Sequence, residues 1–172
     1  MSRMKVRRMV RRGELIELGR GLYAIPSFEP SEYHGLAVVS ARAPAAVVCL
    51  FSALAFHGLT TQQPHEVWIA IPTKTWQPKL DWPPLRVVTF SGAHYHEGIE
   101  HHTLEGVDVQ VYGVAKTVVD CFRFRNKIGL DVALEALRDA LRKKRVQPGE
   151  LVELAQRQRV ATSFRPYIEA LT

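Results

Sequence analysis

The chain has 172 residues, of which 47% are hydrophobic and 23% charged. That balance fits a folded protein and excludes collagen-like repeats, coiled coil and wholesale disorder. The net charge of +6 is lopsided, because residues 1–26 hold seven Lys/Arg against Glu14 and Glu17 and the remainder is nearly neutral.

Residues 2–12 read as a helix. On a helical wheel Val6, Met9 and Val10 fall within about 100° of arc. Arg3, Lys5, Arg7, Arg8, Arg11 and Arg12 fill most of the rest, with Met1 and Met4 among them. Gly13 suits the left-handed residue that ends such a helix. Two short strand-like runs follow, Glu14–Leu18 and Leu22–Ile25, around Gly19-Arg20-Gly21. A type II′ turn there would give Gly19 the first positive-φ position and project Arg20 from the tip. Pro26 and Pro30 punctuate a connector.

Ser31 is the expected N-cap of a helix running to Arg42. Val47–Phe56, apolar nearly all round, reads as a second, buried helix that Gly58 ends. Glu66–Ile71 and Leu85–Phe90 read as strands separated by the Pro- and Trp-bearing loop TKTWQPKLDWPP. Ile99–Leu104 and Val107–Tyr112 read as a hairpin turning at Glu105-Gly106. Helices are expected over Val114–Phe124, Leu130–Lys144, Pro148–Arg157 and Phe164–Leu171.

The order predicts an α+β fold. A partial winged helix-turn-helix, with recognition helix and wing in residues 1–26, joins a larger α+β domain over 31–172. Helices flank that domain's small, mainly antiparallel sheet.

A basic helix followed at once by a hairpin with an arginine at its tip is the back half of a winged helix, a double-stranded DNA-binding unit. The candidate DNA-binding residues are Arg3, Lys5, Arg7, Arg8, Arg11, Arg12 and Arg20. Arginine grips phosphates and guanine edges with the same planar fork.

Other clusters carry alternative readings. His94, His96, His101 and His102, with Glu97 and Glu100, could hold zinc for a hydrolase, but the segment reads as a polar surface loop. His57 reads as a helix-terminal residue turned to the last carbonyls of its own helix. Lys116 and Asp120 are spaced for an i,i+4 salt bridge. Arg142-Lys143-Lys144-Arg145 suits a helix C-terminus, with a second phosphate-contacting surface as its alternative. Trp76 and Trp82 form either a partner-binding patch or a lid. Cys49 and Cys121 lie in apolar patterns and read as buried, reduced thiols. No catalytic, cofactor or metal site is expected. The basic N-terminus lacks the apolar core of a signal peptide, so a cytoplasmic protein without a membrane partner is expected.

The run VRRGELIELGRGLYAIP resembles the end of the winged helix in antitoxins of the abortive-infection AbiEi family. FSALAFHGLT (Phe51–Thr60), PHEVWIAIP (Pro64–Pro72) and VYGVAKTVVDCFRFRNKIG (Val111–Gly129) are similar to later segments of that family, the last with Lys116, Thr117 and Asp120. The resemblance implies a bacterial repressor of its own toxin–antitoxin operon, binding promoter DNA. It also implies neutralisation of a nucleotidyltransferase-like toxin without a stable complex. Members of the family carry further helices before the recognition helix, so the winged helix is expected to be truncated here. The runner-up reading is a protein-interaction module with a degenerate DNA-binding domain.

Overall fold

A computed structural model of the chain describes residues 2–172. Met1, expected on the basic arc, lies outside the described residues. Helix α1 spans Arg3–Arg11, and Gly13 follows it at φ 72°. The Gly13 N–H donates to the Val10 carbonyl and the Glu14 N–H to that of Met9. These are the two bonds of a Schellman motif, which satisfy carbonyls that a helix end leaves open. The chain then reverses through β1 (Ile16–Gly19) and β2 (Leu22–Ala24), an antiparallel pair. The positive-φ glycine of the turn is Gly21, at φ 81°, rather than Gly19, which stays in its strand opposite Leu22. A register shift between Glu17 and Gly19 moves the turn one residue along, onto Arg20-Gly21.

Beyond the connector lies a five-stranded sheet in the order β5-β4-β3-β7-β6. Its strands are β3 (Val47–Val48), β4 (Val67–Pro72), β5 (Leu85–Phe90), β6 (Ile99–Leu104) and β7 (Val107–Tyr112). The helices are α2 (His34–Arg42), α3 (Leu50–His57), α4 (Ala93–His96), α5 (Val114–Arg123), α6 (Arg125–Ile128), α7 (Leu130–Arg142), α8 (Pro148–Arg157) and α9 (Ala161–Leu171).

Strand alternation divides the core. Val48, Val109 and Val111 pack with Leu36 of α2, and Ile69 and Ile71 with Val39 of the same helix. Their neighbours Val47, Ala70, Val88 and Tyr112 face the opposite way, among Leu54, Val118, Phe122, Leu137 and Phe164. The sheet therefore lies between α2 on one face and the bundle of α3, α5 and α7–α9 on the other. The α+β class is as expected. Cys49 and Cys121 are both buried and free, and burial raises both thiols.

Three local features differ from expectation. Val47–Val48 form a strand, with α3 starting only at Leu50. The two valines bridge β4 on one side and β7 on the other, and sheet pairing overrides their membership of an apolar helical run. The sheet is mixed, because the β3–β7 and β4–β5 pairs are parallel. Parallel neighbours need a crossover of about a dozen residues, and the Pro-rich loop over 73–84 is one. Helix α2 starts at His34, since Ser31 is used elsewhere. Its N–H and hydroxyl both donate to Glu105 Oε1 at 2.7 Å, and its Oγ accepts from the Tyr33 N–H. Glu105, at the tip of the β6–β7 hairpin, thereby holds the start of α2, with His34 Nδ1 on its other oxygen at 2.7 Å.

Candidate nucleic-acid interface

Val6, Met9 and Val10 are half-buried, and no residue of α1 is fully buried. The helix rests on a narrow apolar stripe and leaves its basic arc to solvent. The structure sorts the predicted cations into three places. Arg3 and Arg7 turn toward the hairpin and line a cleft there with Glu17, Arg20, Gly21 and Tyr23. Lys5, Arg8 and Arg11 lie along another side of α1 with Met4, which is 81% exposed. Arg12 stands apart, 3.8 Å from Glu14. Among the described residues, Arg3, Lys5, Arg7, Arg8, Arg11 and Arg20 have no carboxylate within ion-pair reach.

Arg42, at the end of α2, donates a guanidinium hydrogen bond to the backbone carbonyl of Arg20. This fixes the hairpin tip to the larger unit. Sequence reading missed Arg42, because 22 residues separate the partners and no local pattern joins them.

The remaining basic cluster is largely spent within the fold. Arg142 and Lys143 both reach Asp139 at 2.8 Å. Lys143 also donates to the Gly58 carbonyl and Arg145 to that of His57, so the cluster satisfies the C-terminal carbonyls of α3. Those bonds leave Lys144 as the unpaired cation of the four, which weighs against the alternative of a phosphate surface there.

The histidines disperse. His101 faces Asp108 at 3.0 Å, His102 faces Glu100 at 3.1 Å, and His96 lies edge-on to Tyr95. His94 lies on α4, not in a loop, and turns inward. Among the described residues, no group of three or more His, Cys, Asp or Glu is placed to hold a metal. His57 turns away from its own helix, and its Nε2–H donates across to the Tyr112 carbonyl at 2.7 Å. Burial lowers its pKa.

Lys116 and Asp120 do form the i,i+4 pair, yet each is 1% exposed. Lys116 Nζ sits 4.8 Å from the Phe90 ring and 4.6 Å from that of Tyr112, where cation–π attraction offsets part of its lost hydration. Asp120 Oδ2 accepts from Lys116, while Oδ1 lies 3.5 Å from His94 Nε2, and neither of those two atoms has a hydrogen-bond partner. On the far side of the ring, His94 Nδ1 bonds Gln158 Oε1, and Gln158 Nε2 donates to Glu97. Nδ1 therefore carries the proton, and two acceptors face each other one proton short of a hydrogen bond. Burial, reinforced by the Lys116 charge, lowers His94 to about 4. Burial raises Asp120 to about 6 against the pull of Lys116. The constellation lacks a nucleophile and reads as a buried strut joining α4, α5 and the end of α8.

Among the described residues, no helix is long and apolar enough to cross a membrane. No curated protein matches the chain. Residues 1–26 match the family described as transcriptional regulator, AbiEi antitoxin. The matched residues hold α1, β1 and β2, and the later segments on which the resemblance drew lie beyond them. The chain thus opens with the segment that marks AbiEi-type antitoxin regulators, a family of regulators and not of enzymes.

Proposed function

We propose that the chain is an antitoxin that represses its own toxin–antitoxin operon by binding promoter DNA through α1 and the β1–β2 wing. The division of labour we infer gives residues 1–26 the role of a truncated winged-helix module. Residues 31–172 form the α+β unit that carries it, and neutralise a nucleotidyltransferase-like toxin without a stable complex. The observation that carries the reading is the cleft where Arg3, Arg7 and Arg20 converge from helix and wing, with Glu17 as its carboxylate. Uncompensated arginines gathered from two elements match a phosphodiester backbone, which supplies most of the affinity of such interfaces. Lys5, Arg8 and Arg11 on the outer side of α1 are placed to reach base edges or the opposite strand, and Arg12 contributes less because Glu14 screens it.

The test is equilibrium binding, by fluorescence anisotropy, to duplex DNA from upstream of the protein's own gene. Arg7→Ala with Arg20→Ala is expected to weaken binding at least tenfold relative to the unchanged chain, and a scrambled duplex to bind poorly throughout. Equal affinity of variant and parent contradicts the assignment.

A further inference from the structure

Arg20 belongs to two depressions. It lines the cleft against α1 and, on the other side of the wing, a groove of about 320 Å³ between the hairpin, α2 and the β4–β5 crossover loop. Arg42 and Lys79 join it there, with Asp81 as the groove's carboxylate and Leu22 and Trp82 as apolar lining. None of the three cations has a carboxylate within ion-pair reach among the described residues. The Trp82 ring stacks on His34 at 5.6 Å and is 54% exposed, which presents a fixed aromatic surface beside the charges. Elsewhere on the larger unit Arg86, Arg142, Lys143, Arg157 and Arg165 are neutralised by Glu66, Asp139, Glu97 and Glu169. The uncompensated charge here is continuous with that of the wing.

We infer that the groove formed by Arg20, Arg42, Lys79 and Trp82 is a second DNA-contacting surface, which takes the phosphodiester backbone of the duplex where it leaves the wing. The inference rests on the proposed DNA-binding role and extends its footprint from residues 1–26 into the larger unit. Three cations against one carboxylate complement a polyanion rather than an acidic or apolar peptide. The shared residue Arg20 sets the direction, since a strand following the wing tip passes from one depression directly into the other. Lys79 is a point charge on an exposed loop and supplies affinity, not sequence preference. Arg42 also orders the wing tip through its bond to the Arg20 carbonyl, so Lys79 is the cleaner probe.

The experiment compares the shortest upstream duplex that binds specifically with the same duplex extended by about half a helical turn, roughly five base pairs, at either end. The parent chain is expected to gain several-fold in affinity from the extension at one end. Lys79→Ala and Lys79→Gln are expected to lose that gain, with the salt slope on the extended duplex reduced by about 1. Lys144→Ala, a cation remote from the groove, serves as control and is expected to behave as the parent. Specific binding by the parent with no gain from either extension, or a gain that survives loss of Lys79, overturns the inference and leaves the proposed function standing. Absence of specific binding to any upstream duplex overturns both. Lys79 dependence on a short peptide or protein partner in place of DNA also overturns it.

Discussion

The guanidinium of Arg42 holds the backbone carbonyl of Arg20, so the last turn of α2 clamps the tip of the hairpin that follows α1. A two-stranded hairpin is marginal alone in water. This bond and the apolar contacts of Leu18 and Leu22 in the same groove supply the missing order. Arg42→Ala is expected to raise amide hydrogen exchange across β1 and β2 several-fold, with the main sheet unchanged. Uniform exchange in the hairpin of both proteins contradicts the clamp.

Helices α7 and α8 end in Schellman pairs like that of α1, but Lys144 and Arg159 occupy the positive-φ positions at 51° and 56°. A left-handed conformation costs a side chain with a Cβ about 1 kcal/mol, and glycine is free of that cost. Lys144→Gly and Arg159→Gly are each expected to stabilise the fold by about 0.5–1 kcal/mol. Urea midpoints check this. A lower midpoint in both variants contradicts the backbone argument.

Gly98 is required by a close approach. A Cβ built there lies 2.8 Å from Lys116 Cβ, and its φ is 78°. Lys116 is pinned by Asp120 and two rings and has no room to yield. Gly98→Ala is expected to destabilise by about 2–4 kcal/mol, from overpacking plus backbone strain. A loss below 0.5 kcal/mol in thermal or urea melts contradicts the packing account.

His94 and Asp120 make opposite contributions to stability against pH. Asp120, raised in the folded chain to about 6, binds more protons there than when unfolded, so its contribution falls as pH rises from about 4 to 6. His94, lowered to about 4, binds fewer protons when folded, so its contribution rises between about 4 and 6.5. Asp120→Asn is therefore expected to show a stability that climbs with pH relative to the parent across that window, and His94→Gln one that declines. Curves parallel to the parent's for both variants contradict the arrangement.

Much of this was legible because it is local. The stripe of Val6, Met9 and Val10, the terminating Gly13 and Gly58, the β6–β7 hairpin and Pro148 at the first turn of α8 all follow from periodicity and backbone chemistry. What escaped depends on partners distant in sequence. Val47–Val48 form a strand only because β4 and β7 flank them, and the loop over 73–84 is a parallel crossover only once β5 is placed beside β4. Within the interface, a helical wheel ranks six cations alike. The hairpin, folding back on one side of α1, draws Arg3 and Arg7 toward Arg20 and leaves the others outside the cleft.

The most direct measurement is the salt dependence of binding to duplex DNA from upstream of the gene, against a scrambled duplex of equal length. The account predicts specific binding whose logarithmic slope against salt is about −4 to −6, which at roughly 0.9 per phosphate corresponds to five to seven contacts. A slope near zero, or equal affinity for both duplexes at every salt concentration, would contradict it.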